Sequence, residues 1–285
     1  MDITFGQDAM TFHDLHAFSL SQCVCCGQTF RWKPQGSGYS GVALGYAVYA
    51  EQSGHDLILQ GVPRSAAADF ARYFDLERDY AAIQQSYIND PFLTEGVHYA
   101  QGLRVMRQPY FETLISFIIS ANNNVARISR IVETLCERYG ELIEGGRAFP
   151  TPERLASLTA DELKACGTGY RADYIIGTAR MICEGFDLND IAALPYEQAR
   201  EKLTALPGVG LKVADCVALY GMGFLGAFPL DVWMRRVICG VYHYSGRNDS
   251  DLRRFVDTTF GENAGIAQQY LFHYARHHKE AVCEG

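Results

Sequence analysis

A change of period near Val62 constrains this chain more than any other feature. Before it, apolar and aromatic residues come in short runs, Thr29–Trp32, Val42–Tyr49 and Leu57–Leu59. These are parted by Pro34-Gln35-Gly36-Ser37-Gly38 and Gln52-Ser53-Gly54, the alternation of strands and turns. From Pro63-Arg64-Ser65 onward, starting with the stripe Phe70, Tyr73, Phe74, apolar residues recur every three or four positions, the helical period. Helices are predicted over 63–74, 78–88, 91–100, 110–120, 123–139, 171–184, 196–205, 210–221, 231–242, 250–260 and 264–278, with Gly145-Gly146, Pro150, Pro152 and Gly167 as breakers. The expected class is α+β, a small antiparallel sheet followed by a large helical body. The division falls at residues 1–90, β-rich with the first helices, and 91–285, the helical body.

At 285 residues the chain can bury enough core to fold without disulfide staples. Hydrophobic content of 48% and charged content of 20% exclude a disordered or collagen-like chain. No apolar run reaches the ~18 residues of a membrane span, and Met1-Asp2-Ile3-Thr4 is not a basic-then-apolar leader, so a cytosolic location is expected. The net charge is −8; nine Lys+Arg balance nine Asp+Glu from residue 201 onward, so the first 200 residues carry all of it. Contact with a polyanion must therefore be local, through backbone amides and a few cations.

The nine cysteines are odd in number, and Cys136, Cys166, Cys183, Cys216 and Cys239 sit in apolar stretches. Reduced, buried thiols in a reducing compartment are expected. Cys23-Val24-Cys25-Cys26, with His13 and His16 upstream, lacks a second C-x-x-C pair and reads as local packing rather than a zinc site. There is no four-cysteine set near the C-terminus for an iron–sulfur cluster, and no metal is expected at the site.

The most informative local pattern is Leu206-Pro207-Gly208-Val209-Gly210-Leu211-Lys212-Val213-Ala214-Asp215. A helix ends near Leu206, two glycines bracket a tight turn, and a second helix starts at Leu211. Its free N–H groups are a seat for a phosphate, although a plain turn between packed helices would read the same way. Lys212 opposes the helix macrodipole at a cost of ~0.3–1 kcal/mol. The same field favours a neutral, nucleophilic amine; the alternative is a solvated lysine paired with Asp215. Farther on, Pro229-Leu230-Asp231 places a carboxylate to cap the following helix, with one oxygen to spare for a reaction centre.

Hairpin, lysine and P-x-D helix start together resemble the helix-hairpin-helix, Gly/Pro-Asp superfamily of DNA glycosylases, and within it the 8-oxoguanine DNA glycosylase/lyase family. The likeness runs from about Gly27 to Phe272. It implies that Lys212 is the nucleophile and Asp231 the catalytic carboxylate. Gly27-Gln28-Thr29-Phe30-Arg31-Trp32 resembles the family element whose glycine carbonyl accepts the N7 hydrogen of oxidised guanine, which assigns Gly27 to lesion discrimination. Ala267-Gln268-Gln269-Tyr270-Leu271-Phe272 is similar to the C-terminal helix in which Gln268 reads the base edge and Phe272 stacks on its face; i,i+4 spacing puts both on one side, though Phe272 could equally be core. Cys216, one turn after Lys212, matches the residue on the opposite face of the base. Within Asn122-Asn123-Asn124-Val125-Ala126-Arg127, the resemblance gives Asn122 the gap left by the extruded nucleotide. Arg127 and Arg171 would hold the orphaned cytosine, and Tyr170 would wedge into the stack unless it only packs between helices.

By the same resemblance the helix-hairpin-helix covers 203–221, with the P-x-D start at 229–231. Hairpin amides around Gly208, Gly210 and Val213 would hold the DNA backbone, with a structural cation on the hairpin carbonyls as an option and no other cofactor. Trp233 stands where eukaryotic members carry a phosphate-contacting histidine; indole N–H can still donate one hydrogen bond. The short segment Ser245–Asp251 suggests a compact prokaryotic form acting on nucleoid DNA. The implied partner is double-stranded DNA containing 8-oxoguanine, with no membrane and a monomeric enzyme. Competing readings are a glycosylase of the superfamily for another damaged base, and a non-catalytic DNA-binding protein, which would need the hairpin but not Lys212 and Asp231.

Overall fold

The computed structural model describes residues 2–246 and 248–280. Arg247, inside the Ser245–Asp251 segment, and the end of the chain beyond 280 lie outside them. The sheet comprises β1 (Ile3–Phe5), β2 (Ala9–Phe12), β3 (Trp32–Gln35), β4 (Gly38–Ala43), β5 (Tyr46–Ser53) and β6 (Asp56–Gln60), and a two-stranded hairpin, β7 (Leu142–Ile143) with β8 (Gly146–Arg147), follows much later. The helices are α1 (Leu20–Cys25), α2 (Ala67–Tyr73), α3 (Tyr80–Ser86), α4 (Pro91–Tyr99), α5 (Tyr110–Ser120), α6 (Val125–Tyr139), α7 (Pro152–Ala156) and α8 (Ala160–Lys164). They continue as α9 (Ala172–Cys183), α10 (Leu188–Ala192), α11 (Tyr196–Leu203), α12 (Leu211–Val217), α13 (Val232–Arg236), α14 (Asp249–Phe260) and α15 (Ala264–His277). This is the expected α+β arrangement.

The sheet is antiparallel throughout, in the order β1-β2-β6-β5-β4-β3. Alternate residues Met10, Phe12, Val48, Ala50, Leu57 and Leu59 face inward against Phe70, Tyr73 and Phe74 in and just after α2, the period-2 logic of a half-buried sheet. The helical body has its own larger core. Cys26 and Phe30, just before β3, belong to that second core, and Met106 belongs to the first. The chain thus stitches the two layers together on either side of what becomes the site.

Three strand expectations change. Thr29, Phe30 and Arg31 form a buried connection, and β3 begins only at Trp32. The run Val42–Tyr49 is two strands, because Leu44 and Gly45 both take positive φ, 54° and 82°, between the paired residues Ala43 and Tyr46. That is the two-residue hairpin geometry usually marked by Asn-Gly; a leucine in that position gives no warning. Strands β1 and β2 precede the runs singled out from the sequence. All the predicted helices are present, but α1, α7, α8 and α10, of five or six residues each, are additional. They are too short for periodicity and are held by caps at Ser19, Thr151, Thr159 and Asp187. Thr159 and Glu162 form a full capping box, which is visible in the sequence as T-x-x-E.

Candidate active site and nucleic-acid interface

Helix α11 ends at Leu203, and the turn into α12 depends on Gly208. Its φ is +76°, and a Cβ there would lie 2.8 Å from the Tyr174 ring, so both backbone and packing require glycine. Thr178 Oγ1 donates to the Pro207 carbonyl at 3.0 Å and ties the hairpin to α9. Gly210 caps α12 without a side chain, which leaves the first-turn N–H groups, including that of Val213, without intrahelical partners. Beyond α12 the helix widens into a π turn over Ala218–Met222, and α13 widens likewise over Val237–Val241; such turns recur near functional sites.

Lys212 is half-buried. Its Nζ donates to Ser120 Oγ at 3.0 Å and stands 5.1 Å from the centre of the Phe117 ring. It does not pair with Asp215, which is buried under α12. There Asp215 accepts from Arg200 Nε at 2.7 Å and from Tyr196 Oη at 2.6 Å, and Arg200 also bonds Asp249. This network satisfies the carboxylate that would otherwise hold the lysine, so the amine points to the other side of the helix. Asp231 caps α13 by accepting from Met234 N at 2.8 Å, as its position requires. Its second oxygen accepts no hydrogen bond from the described residues.

Lys212 and Asp231 line one cavity of about 820 Å³, together with Gly27, Asn122, Gly208, Gly210, Val213, Cys216, Trp233, Gln268 and Phe272. Cys216 is buried, and burial pushes its thiol up to about 12, against the pull of Lys212; it is an uncharged wall. Tyr220 Oη donates its proton to the nearer Gln269 Oε1 and lies 3.3 Å from Gln268 Oε1, and the Tyr220 ring stacks on Phe117 with centroids 5.3 Å apart. Burial keeps the Tyr220 phenol far above its ordinary range, so it acts only as a neutral donor. Trp233 is half-exposed, with the cations of Arg236 and Lys279 at 5.0 and 5.7 Å over its ring.

Gly27 has φ +92°, and a Cβ would meet Arg276 Nη1 at 3.0 Å and Val125 Cγ2 at 3.1 Å. The buried side chain of Gln28 holds this turn in place. It donates to the carbonyls of Cys23 and Arg104 and accepts from Met106 N, at 2.8–2.9 Å. Gly27→Ala is expected to cost about 1–2 kcal/mol for the left-handed backbone, which lowers the unfolding midpoint by roughly 2–8 °C. By the activity that the sequence resemblance implies, it is also expected to slow release of the oxidised base on the order of tenfold or more by crowding the slot, while cleavage at a preformed abasic site survives. Single-turnover assays on one duplex carrying the oxidised base and one carrying an abasic site check this, and equal rates for variant and parent on the former would remove Gly27 from the pocket.

The three asparagines divide their work. Asn123 Nδ2 donates to Ile119 O at the end of α5, and Asn124 Oδ1 caps α6 by accepting from Arg127 N. Asn122, exposed and at φ +49°, sits on the cavity rim with Nδ2 3.5 Å from Tyr170 Oη. Tyr170 is 54% exposed and stands edge-on to Tyr174, so it is not an interhelix packing residue. Arg171 is buried, and its guanidinium donates to the carbonyls of Thr168, Ala121 and Asn122 and lies over the Tyr170 ring. It thereby holds the Asn122 turn. Tyr170 and Arg171 line a second groove beside the hairpin with Gly208 and Gly210. Arg127 is exposed on the first turn of α6, outside the cavity lining.

Phe117, Ser120, Tyr220 and Arg276 also line the cavity and were not singled out from the sequence. Tyr220 continues the Lys212–Cys216 stripe at i+4, so its place was legible there. Cys23 and Cys26 are buried in the cores, and among the described residues no group of three His, Cys, Asp or Glu could hold a metal. Cys183 and Cys239 are exposed, contrary to the expectation of burial, because each falls on the solvent side of its helix.

With this geometry in place, comparison with known proteins is specific. Residues 115–257 match the profile of the HhH-GPD superfamily base excision DNA repair proteins, and residues 11–114 match the 8-oxoguanine DNA glycosylase N-terminal domain. The chain belongs to the HhH-GPD superfamily, in its 8-oxoguanine DNA glycosylase branch. It is 33% identical over 272 residues to the N-glycosylase/DNA lyase OGG1 of Arabidopsis thaliana, covering 86% of this chain and 74% of that one. Identity to the N-glycosylase/DNA lyase of Saccharomyces cerevisiae is 41% over 166 residues, 52% of this chain and 44% of that one. The crystal structure of Clostridium acetobutylicum 8-oxoguanine glycosylase/lyase in complex with dsDNA containing cytosine opposite to 8-oxoG superposes with a TM-score of 0.93 at 34% identity. That match covers 98% of this chain and 99% of the other.

Proposed function

We propose that this protein is a bifunctional DNA glycosylase/AP lyase that excises 8-oxoguanine opposite cytosine in double-stranded DNA. The observation that carries the reading is that the Lys212 amine, the Asp231 carboxylate and the walls Gly27, Cys216, Gln268 and Phe272 open onto one cavity. The target atom lies inside a stacked duplex, so the nucleotide must swing out, at a cost of a few kcal/mol. Asn122 and Tyr170 fill and wedge the gap, and the exposed Arg127 attends the unpaired cytosine. Arg171, bound to the Ala121 and Asn122 carbonyls, holds the Asn122 turn instead of reaching that base, and the amides around Gly208, Gly210 and Val213 take the backbone phosphate. Trp233 supplies an indole N–H on the same face. Pro207's carbonyl accepts from Thr178 and Leu206's from Val209 N at 3.1 Å; each keeps a second lone pair on which a structural cation could be held.

In the reaction, the free amine of Lys212 forms a bond to C1′ as the N-glycosidic bond breaks, and the base leaves with that bond's electron pair. Asp231 stabilises the positive charge developing on the sugar. Ring opening yields a Schiff base between Nζ and C1′; loss of a C2′ proton then expels the 3′ phosphate by β-elimination. Among the described residues no helix is long and apolar enough to cross a membrane. We place the enzyme, as a monomer, on nucleoid DNA in a prokaryotic cytoplasm, where the free thiols remain reduced.

Excision assays on duplexes carrying 8-oxoguanine opposite each of the four bases test the function. Release of the free base with strand scission, fastest opposite cytosine, is the expected result. Release of a different damaged base in preference would move the protein to a neighbouring specificity.

A further inference from the structure

Helix α15 presents Gln268, Phe272 and Arg276 at i, i+4 and i+8, and all three line the cavity, as one helical face should. The guanidinium of Arg276 lies 5.4 Å from the centre of the Phe272 ring. Its Nη1 is also the nearest atom to where a Cβ on Gly27 would stand, at 3.0 Å, with Phe272 Cε1 at 3.7 Å from the same point. The cation is close enough to the buried Cys26 to pull its thiol down against the larger upward push of burial. No carboxylate, carbonyl or hydroxyl among the described residues accepts a hydrogen bond from it. A guanidinium with five donors, half-buried between an aromatic face and a glycine backbone and without an acceptor among the described residues, is arranged for an acceptor that arrives with a ligand.

We propose that Arg276 is a specificity-determining residue for the lesion, donating to an exocyclic oxygen of the extruded oxidised purine. The inference rests on the function proposed above, in which the Gly27 carbonyl accepts the N7 hydrogen. Only O6 and O8 flank N7, so a donor packed against Gly27 reaches one of these two. Arg276 Nη1 and the Phe272 ring edge converge on the same point beside Gly27, at 3.0 and 3.7 Å from where its Cβ would stand, so the donor borders the slot rather than lying remote from it. Gln268, one turn away from Phe272 on the other side, is left for a different edge of the base. A contact at O8 would favour the oxidised base over guanine, which carries hydrogen at C8.

The test uses the full-length enzyme and two duplexes, one carrying 8-oxoguanine opposite cytosine and one carrying a preformed abasic site opposite cytosine. Single-turnover rates are measured for the parent, Arg276→Ala and Arg276→Lys. Losing a hydrogen bond from a charged donor is expected to slow release of the base about ten- to a hundredfold in Arg276→Ala. Cleavage at the abasic site, where there is no base to contact, is expected to stay within about twofold of the parent. Arg276→Lys keeps the charge and is expected to restore part of the rate. A parallel lesion, 8-oxoadenine, retains O8 but has an amine at position 6; a loss on both lesions places the contact at O8, and a loss confined to 8-oxoguanine places it at O6. An unchanged rate on the lesion, or equal losses on lesion and abasic duplexes, would overturn the assignment, the latter by revealing a merely structural or backbone-binding residue. Failure of the parent enzyme itself to release 8-oxoguanine would instead overturn the proposed function.

Discussion

Lys212→Gln is expected to abolish strand scission and borohydride trapping and to slow base release by about four to six orders of magnitude, the scale seen when a nucleophile is removed. The fold should tolerate the change. Lys212 is only half-buried, at the exposed start of α12. Its hydrogen bond to Ser120 Oγ is one a glutamine amide can imitate. The buried ion network beneath the helix, Arg200 with Asp215 and Asp249, does not involve it. An unfolding midpoint close to the parent's, together with no covalent adduct on an abasic or lesion duplex, is the expected pair of results. An adduct that forms as well without Lys212 would end the covalent mechanism.

On the proposed mechanism Asp231 both caps α13 and stabilises the reacting sugar, two purposes that substitution can separate. Asn is as good an N-cap as Asp, so Asp231→Asn keeps the bond to Met234 N and should leave the unfolding midpoint unchanged. It removes the negative charge, and base release should fall about a hundred- to a thousandfold, the usual scale for losing one electrostatic stabiliser of a transition state. Asp231→Ala should show the same kinetic defect and a further loss of about 1 kcal/mol from the missing cap, a drop of roughly 2–4 °C in the midpoint. Single-turnover release and thermal unfolding, measured on both variants, separate the two roles. A parental rate in Asp231→Asn would leave the carboxylate as a cap and nothing more.

The parts of the site legible in the sequence are those written into local segments. The Leu206–Asp215 hairpin, the Asp231 cap and the Gln268–Phe272 pair each lie within a single turn or helix, where spacing alone dictates which residues share a face. The stripes could have been followed one turn farther, to Tyr220 from Cys216 and to Arg276 from Phe272. Other features had no local trace. Leu44 adopts a left-handed turn conformation that its residue type does not favour, so one predicted strand became two. Nothing near Arg171 in the chain announces that its guanidinium is spent on the Ala121–Asn122 turn, some fifty residues away.

From the sequence by itself came the β-then-α order, the hairpin, the helix start beside Lys212 and the cap at Asp231, because backbone periodicity, glycine tolerance and capping are properties of neighbours along the chain. Tertiary structure alone decided which partner each of those groups would meet. Lys212 turns to Ser120 because Arg200 and Tyr196, brought in by α11, already satisfy Asp215. Gly27, at the seam of the two cores, closes on Phe272 and Arg276 of the last helix. Pairing across such distances depends on the packing of whole elements, and no local pattern of residues encodes it.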